Sequence, residues 1–241
     1  VPVSLLMREL WGDEPPASWL TTLQTYILNL RKVLATTTGL RTEEVAARLL
    51  QTKAGGYVLD LGTGSLDLHR YQVAVASARE FLLAGDDLQA VRTLDAALRL
   101  WRGPAFLDVR GGRVLESKRR QVEESRLVAI EHMVGAQLRL GMYHEVLTEL
   151  AALTVENPLH EGLHAQYMIA LHSLDRRAEA LEVFRTLRDN LVEDLGIEPG
   201  ARVREVHQAI LGADGGRGHD ALLAKVVDFR WSTAADTARV Y

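Results

Sequence analysis

Two groups of residues in this chain have types and spacings that could do chemistry. The first is His160-Glu161-Gly162-Leu163-His164, a complete HExxH pattern. Histidines at i and i+4 share one helix face and can hold a zinc ion, with the glutamate as general base. No third ligand follows at the usual spacing, Pro158 sits just ahead, and Gly162 weakens a helix. The plainer reading, surface or groove histidines in a helix pair, is preferred. The second group is Thr22, Thr25, Tyr26, Asn29 and Lys32, at i, i+3, i+4, i+7 and i+10. On a helix they form one stripe of hydroxyls, an amide and an ammonium, groups that reach base edges and phosphates. The same stripe could be an ordinary solvated face, and the elements around it must decide.

Those elements form a recognisable series. Val3 to Trp11 is predicted as a short amphipathic helix with Leu5, Leu6, Leu10 and Trp11 on its apolar side and Ser4 as N-cap. Gly12-Asp13-Glu14-Pro15-Pro16 ends it, because two prolines cannot continue a helix. Ser18 is placed to cap a second helix running to about Ala35. Its Leu20, Leu23, Ile27, Leu30 and Leu34 keep helical spacing and are expected to face a core. After a polar break, Leu49 to Leu61 reads as a hairpin tipped by Gly55-Gly56, with Lys53 and Tyr57 near the tip. Short helix, tight turn, long helix and hairpin is the order of a winged helix-turn-helix.

Composition sets limits. The formal charge is −4, and residues 1–68 hold six Lys/Arg against seven Asp/Glu. DNA affinity depends on neutralised phosphates, so the positive charge must act locally, through Arg31, Lys32 and Lys53. With no cysteine, disulfides and thiolate metal sites are excluded. No apolar run approaches the roughly 18 residues of a membrane helix and no signal-peptide pattern opens the chain, so a cytoplasmic protein is expected. Gly62-Thr63-Gly64-Ser65 lacks the lysine of a phosphate loop, and Gly85-Asp86-Asp87 reads as a helix–helix turn. Trp101, with Leu98 and Phe106, is assigned to a core. Lys118, Arg119 and Arg120, followed by Glu123 and Glu124, are assigned to a solvated, self-paired helix face.

Beyond a short linker at 60–67 the pattern turns helical, with helices predicted at 68–84, 86–101, 114–140, 142–156, 159–173, 175–194 and 200–211. Setting Tyr143–Leu153 against Arg177–Leu187 aligns Leu147 with Leu181, Leu150 with Phe184 and Leu153 with Leu187. Each offset is about 34 residues, the tetratricopeptide period. Such helix pairs bury their faces by stacking and commonly bind proteins or peptides. After Ala213, Gly-Gly-Arg-Gly-His breaks the pattern, and Ala221 to Val227 is only weakly amphipathic. The segment 213–241 is expected to be flexible.

Taken together, LWGDEPPAS (10–18), LQTYILNLRKVL (23–34), GGYVLDL (55–61), DLHRY (67–71), LRLWRGPAFLDV (98–109), NPLHEGLHAQYMIAL (157–171) and VEDLGIEPG (192–200) resemble the SARP class of antibiotic-pathway regulators. In that class a winged helix precedes a bacterial transcriptional activation domain. The resemblance covers residues 3–212 in order. It implies that helix 18–35 is the recognition helix, that 49–61 is the wing, and that the chain binds direct repeats in promoter DNA. It further implies that the helical half supports self-association, as a homodimer, and contacts RNA polymerase including its σ factor. Family members carry a four-stranded sheet and a helix ahead of the point where this chain starts. Leu6, Leu10, Leu23 and Ile27 are therefore expected to lose part of their cover, and Val1 to mark a start-codon or boundary effect.

The resulting expectation is a mainly α protein, a partial winged helix-turn-helix at 1–62 followed by a tetratricopeptide-like domain at 67–212. It acts as a non-enzymatic transcriptional activator without cofactor, metal or membrane. DNA contacts are expected from Thr22, Thr25, Tyr26, Asn29, Arg31, Lys32, Lys53 and Tyr57, with Arg31 on phosphate. The alternative is a helical-repeat interaction module that does not touch DNA.

Overall fold

The computed structural model describes residues 1–62 and 64–212; the reading of 213–241 as flexible lies outside them. The described residues divide into two compact units, residues 1–70 with 100–126, and residues 71–99 with 127–212. Among the described residues no helix is long and apolar enough to cross a membrane.

The first unit opens with helix α1 (Val3–Trp11), then α2 (Trp19–Thr38), α3 (Thr42–Arg48), strand β1 (Leu50–Lys53) and strand β2 (Gly56–Leu59). α1 follows Pro2, which serves as its N-cap residue, so Ser4 lies inside the helix and is not the cap. Proline suits a helix start because its missing N–H would have no intrahelical partner there. α2 begins after Ser18 as expected but runs three residues further, ending at Gly39 in the left-handed conformation (φ 72°). α3 falls where the sequence shows only a polar break. Glu44 accepts from the Arg41 N–H at 3.0 Å, which closes its first turn, and Val45 is wholly buried.

The core of this unit is small: Leu23, Ile27, Val45 and Leu50, with Leu6, Trp11, Leu34 and Tyr57 packed around it. Its size corrects one expectation. Leu20 is 44% exposed and Leu30 is 52% exposed, because the apolar arc of α2 is wider than the surface that α1, α3 and β1 cover. Leu23 and Ile27 are buried and Leu6 is half-buried, whereas Leu10 stands exposed.

β1 and β2 pair antiparallel with Leu50 opposite Leu59 and Lys53 opposite Gly56. The turn residues are Ala54 and Gly55 (φ 75°), one position earlier than the glycine pair suggests. Gly56 has a different task. A Cβ there would collide with the Val1 carbonyl, since residues 1–3 run alongside β2. The Val1 amine donates to the Tyr57 carbonyl at 2.6 Å, and the Tyr57 N–H donates back at 3.0 Å.

The remaining helices are α4 (Asp67–Leu83), α5 (Asp87–Leu98), α6 (Arg113–Arg139), α7 (Tyr143–Glu156), α8 (Glu161–Ser173), α9 (Arg177–Leu195) and α10 (Ala201–Gly212). Those of the second unit bury Val146, Leu150, Leu163, Met168, Leu187, Val206 and neighbouring apolar residues in one core. The 34-residue repeat has a backbone counterpart. Gly141 (φ 76°) and Asp175 (φ 59°) each lie two residues ahead of a helix, α7 and α9. Gly85 (φ 75°) holds the same position before α5, so the corner occurs three times among the described residues. In each corner the next N–H returns to a carbonyl five residues back: Asp86 to Phe81, Met142 to Gln137, Arg176 to Leu171. The α5 corner escapes a 34-residue search because long α6 interrupts the period.

Candidate nucleic-acid interface

Leu23 and Ile27 fix the orientation of α2 by burying one side of it, which leaves the opposite side to solvent. Thr25, Tyr26, Asn29 and Lys32 are exposed there and Thr22 is half-buried at its edge. The Thr22 hydroxyl donates to the Ser18 carbonyl at 3.1 Å and that of Thr25 to the Thr21 carbonyl at 2.9 Å. Their donors are thus occupied by the helix, and what they offer outward is a hydroxyl oxygen as acceptor and a methyl group. Tyr26 stacks on Trp11, 6.4 Å between ring centroids, which holds its ring at the margin of the stripe. Thr21, Leu28 and Thr36 share the exposed side. They fall outside the i, i+3, i+4, i+7, i+10 series that defines the stripe in sequence.

Arg31 is placed differently from its neighbours. Its Nε and Nη2 donate to the Leu50 carbonyl at 2.9 and 2.8 Å, and Nη2 reaches Thr52 Oγ1 at 2.9 Å. The side chain thereby ties α2 to β1 and sets where the hairpin stands. Lys53 is exposed at the end of β1, beside the turn. Tyr57 is half-buried and packs on the core of the unit, so its ring supports the hairpin from beneath.

The HExxH residues are each engaged in structure. The His160 ring caps α8, its Nδ1 accepting from the Leu163 N–H at 3.2 Å. Glu161 accepts from the Gly200 N–H. Gly162 leaves room for the Glu131 carboxylate, which a Cβ would strike. His164 is buried, with Nδ1 3.0 Å from the His160 carbonyl, and desolvation pushes its ring below the usual histidine range. Because His160 Nδ1 accepts this bond, the proton of the neutral ring sits on Nε2, which leaves no free lone pair for a shared metal. Among the described residues no group of three or more His, Cys, Asp or Glu is placed to hold a metal ion.

The basic run on α6 is also corrected. Arg119 is largely buried and donates to the carbonyls of Ala105 (2.9 Å), Phe106 (2.7 Å) and Val109 (3.0 Å). Glu123 accepts from the Ala105 N–H. Both side chains keep a partner on α6, Arg119 with Glu116 and Glu123 with Arg126, but they also clamp a loop, a tertiary role that local charge spacing does not reveal. Trp101 is half-buried, with the Arg126 guanidinium 4.8 Å from its ring centroid.

Residues 66–211 match the family model of the bacterial transcriptional activator domain. The regulatory protein DnrI of Streptomyces peucetius is 44% identical over 217 residues, covering 90% of this chain and 79% of that protein. The transcriptional regulator RedD of Streptomyces coelicolor is 35% identical over 214 residues, covering 89% of this chain and 60% of that one. A solved structure of Mycobacterium tuberculosis EmbR, in complex with a low-affinity phosphopeptide, superposes with a TM-score of 0.82 at 31% identity. It covers 94% of this chain and 58% of EmbR, so this chain spans less than two thirds of RedD and of EmbR.

Proposed function

Because the chain belongs to the SARP-type regulators with a bacterial transcriptional activator domain, we propose that it is a sequence-specific DNA-binding activator of a secondary-metabolite gene cluster. The observation that carries this reading is the polar, solvent-facing side of α2 beside a hairpin braced by Arg31. A B-form major groove admits one α-helix. With α2 in that groove, Asn29 bonds an adenine edge, Thr22 and Thr25 accept from base amino groups, and Leu28 meets a thymine methyl. Tyr26 and Lys32 lie toward the backbone, and Lys53 meets phosphate from the wing. Tyr57 and Arg31 position that wing, with Arg31 close enough to the surface to add a phosphate contact.

Residues 1–62 form the DNA-reading domain and 67–212 the partner-binding domain in this proposal. The chain acts in the cytoplasm, on direct repeats upstream of its promoters, as a homodimer. Its helical repeats contact RNA polymerase, including the σ factor.

A paired titration tests the residue roles. Asn29→Ala is expected to cost about 1–3 kcal/mol on cognate DNA and little on scrambled DNA. Lys53→Ala should weaken both and reduce the salt slope by about 0.9. Equal losses on both DNAs for the two variants would count against these assignments.

One observation favours a second reading. α2 also exposes Leu20, Leu30 and Val33, apolar surface of the kind that docks against protein. A helical-repeat interaction module without DNA contact would show no preference between the two DNAs.

A further inference from the structure

Two surfaces away from the α2 stripe hold apolar side chains in water, and their charges are opposite. The first is the loop leading into α6. Phe106 adopts φ 54°, a left-handed conformation unfavourable for a bulky side chain. Arg119 holds it there through three carbonyls, and Glu123 through the Ala105 N–H. The tip so held is Leu107, 74% exposed, with Val109 exposed beside it. Arg110 and Arg113 are exposed next to them and outnumber the one exposed carboxylate of the loop, Asp108. A strained backbone clamped from below so that a leucine stands outward is a built surface, not a slack loop.

The second surface is the end of α9. Val192 and Leu195 are exposed one turn apart, and Gly196 (φ 68°) turns the chain so that exposed Ile197 follows. Glu193 and Asp194 are exposed in the same turn, where the free carbonyls of a helix C-terminus add negative potential.

We propose that these surfaces bind each other between copies of the chain. The Leu107 loop of one copy seats on the apolar end of α9 in a second, with Arg110 and Arg113 facing Glu193 and Asp194. The occupant is a second copy because one chain carries both halves of the match. Like-with-like contact would set arginine against arginine, or carboxylate against carboxylate, so each loop meets an α9 end, and the form taken here is the head-to-tail, heterologous one. It rests on the DNA-binding reading in one respect: copies on direct repeats face the same way, and a heterologous contact suits that arrangement.

Sedimentation of the full chain without DNA, from low to high micromolar concentration, tests the pairing. The average mass should climb above the 26.7 kDa monomer and fall back as salt screens the charges. Leu107→Asp and Leu195→Asp should each weaken association at least about tenfold. Mixed in equal amounts, the two variants should recover a dimer and nothing larger, since each supplies the surface the other lacks. Arg110→Glu and Asp194→Arg, both at exposed positions, repeat the test through charge alone. Mass that stays monomeric throughout, variants that leave it unchanged, or mixtures that stay monomeric would each overturn the proposal. None of these outcomes bears on DNA recognition, which is titrated separately.

Discussion

The Arg31 guanidinium donates twice to the Leu50 carbonyl and once to Thr52, so its loss unties the hairpin from α2. Hydrogen bonds from a charged group are worth about 1.5–3 kcal/mol, and Arg31→Ala should lower stability by that order in thermal unfolding. Arg31→Lys should recover only part of it, because an ammonium cannot reproduce the planar fork. Full recovery would mean that charge, not geometry, is what the hairpin requires. His132 makes a second prediction. It is buried on α6 and pushed down to about 4, first by desolvation and then by Arg139, Arg202 and Arg79. An unfolded histidine titrates near 6.5, so between those values the unfolded chain binds a proton that the folded chain refuses. Stability is therefore intact above about pH 6.5 and declines as pH falls toward about 4, by roughly 3 kcal/mol at most. Urea unfolding across that window should show the decline, and His132→Gln should flatten it. A variant with the same slope would place the effect elsewhere.

The start of α6 depends on a residue far from it in sequence. Glu9 on α1 accepts from the N–H groups of Gly112 (2.7 Å), Val114 (2.9 Å) and Leu115 (3.1 Å). Helix starts leave such groups without internal partners, and an anion there also meets the positive end of the helix dipole. Glu9→Ala should cost about 1–3 kcal/mol by stranding these donors, whereas Glu9→Gln loses mainly the charge, about 0.3–1 kcal/mol. Calorimetry finding no difference between the two variants would show that the carboxylate charge does not matter. This contact also marks where sequence reading stops. The helices of the C-terminal half lie within about three residues of their predicted bounds, because apolar periodicity and Gly/Pro breaks are local signals. α3 went unseen because seven residues are too few to show a period. In sequence Arg119 reads as a solvated charge, Arg31 as a phosphate contact, and Glu9 carries no signal. Their backbone partners lie between 10 and 106 residues away, and no local pattern announces such pairings. The stripe on α2 was legible as a surface, but which of its residues meet bases is not written in spacing.

At the scale of the molecule, charge is the quantity on which the account turns. Residues 1–68 have no basic surplus, yet 100–126, in the same compact unit as the winged helix, carry seven Lys/Arg against four Asp/Glu. That segment gives the unit a positive balance that the winged helix alone lacks, and long-range attraction to DNA follows net charge. The chain is also similar over most of its length to regulators of transcription from Streptomyces and Mycobacterium, so the bland reading of α2 as a mere solvated face has the weaker support. The central claim is that α2 and the hairpin read DNA. Fluorescence anisotropy of labelled promoter DNA carrying direct repeats, set against a scrambled duplex at two salt concentrations, tests it most directly. Tight binding that requires the repeats and persists above the scrambled control at the higher salt is the predicted result. Weak binding, equal on both duplexes and erased by salt, would contradict it.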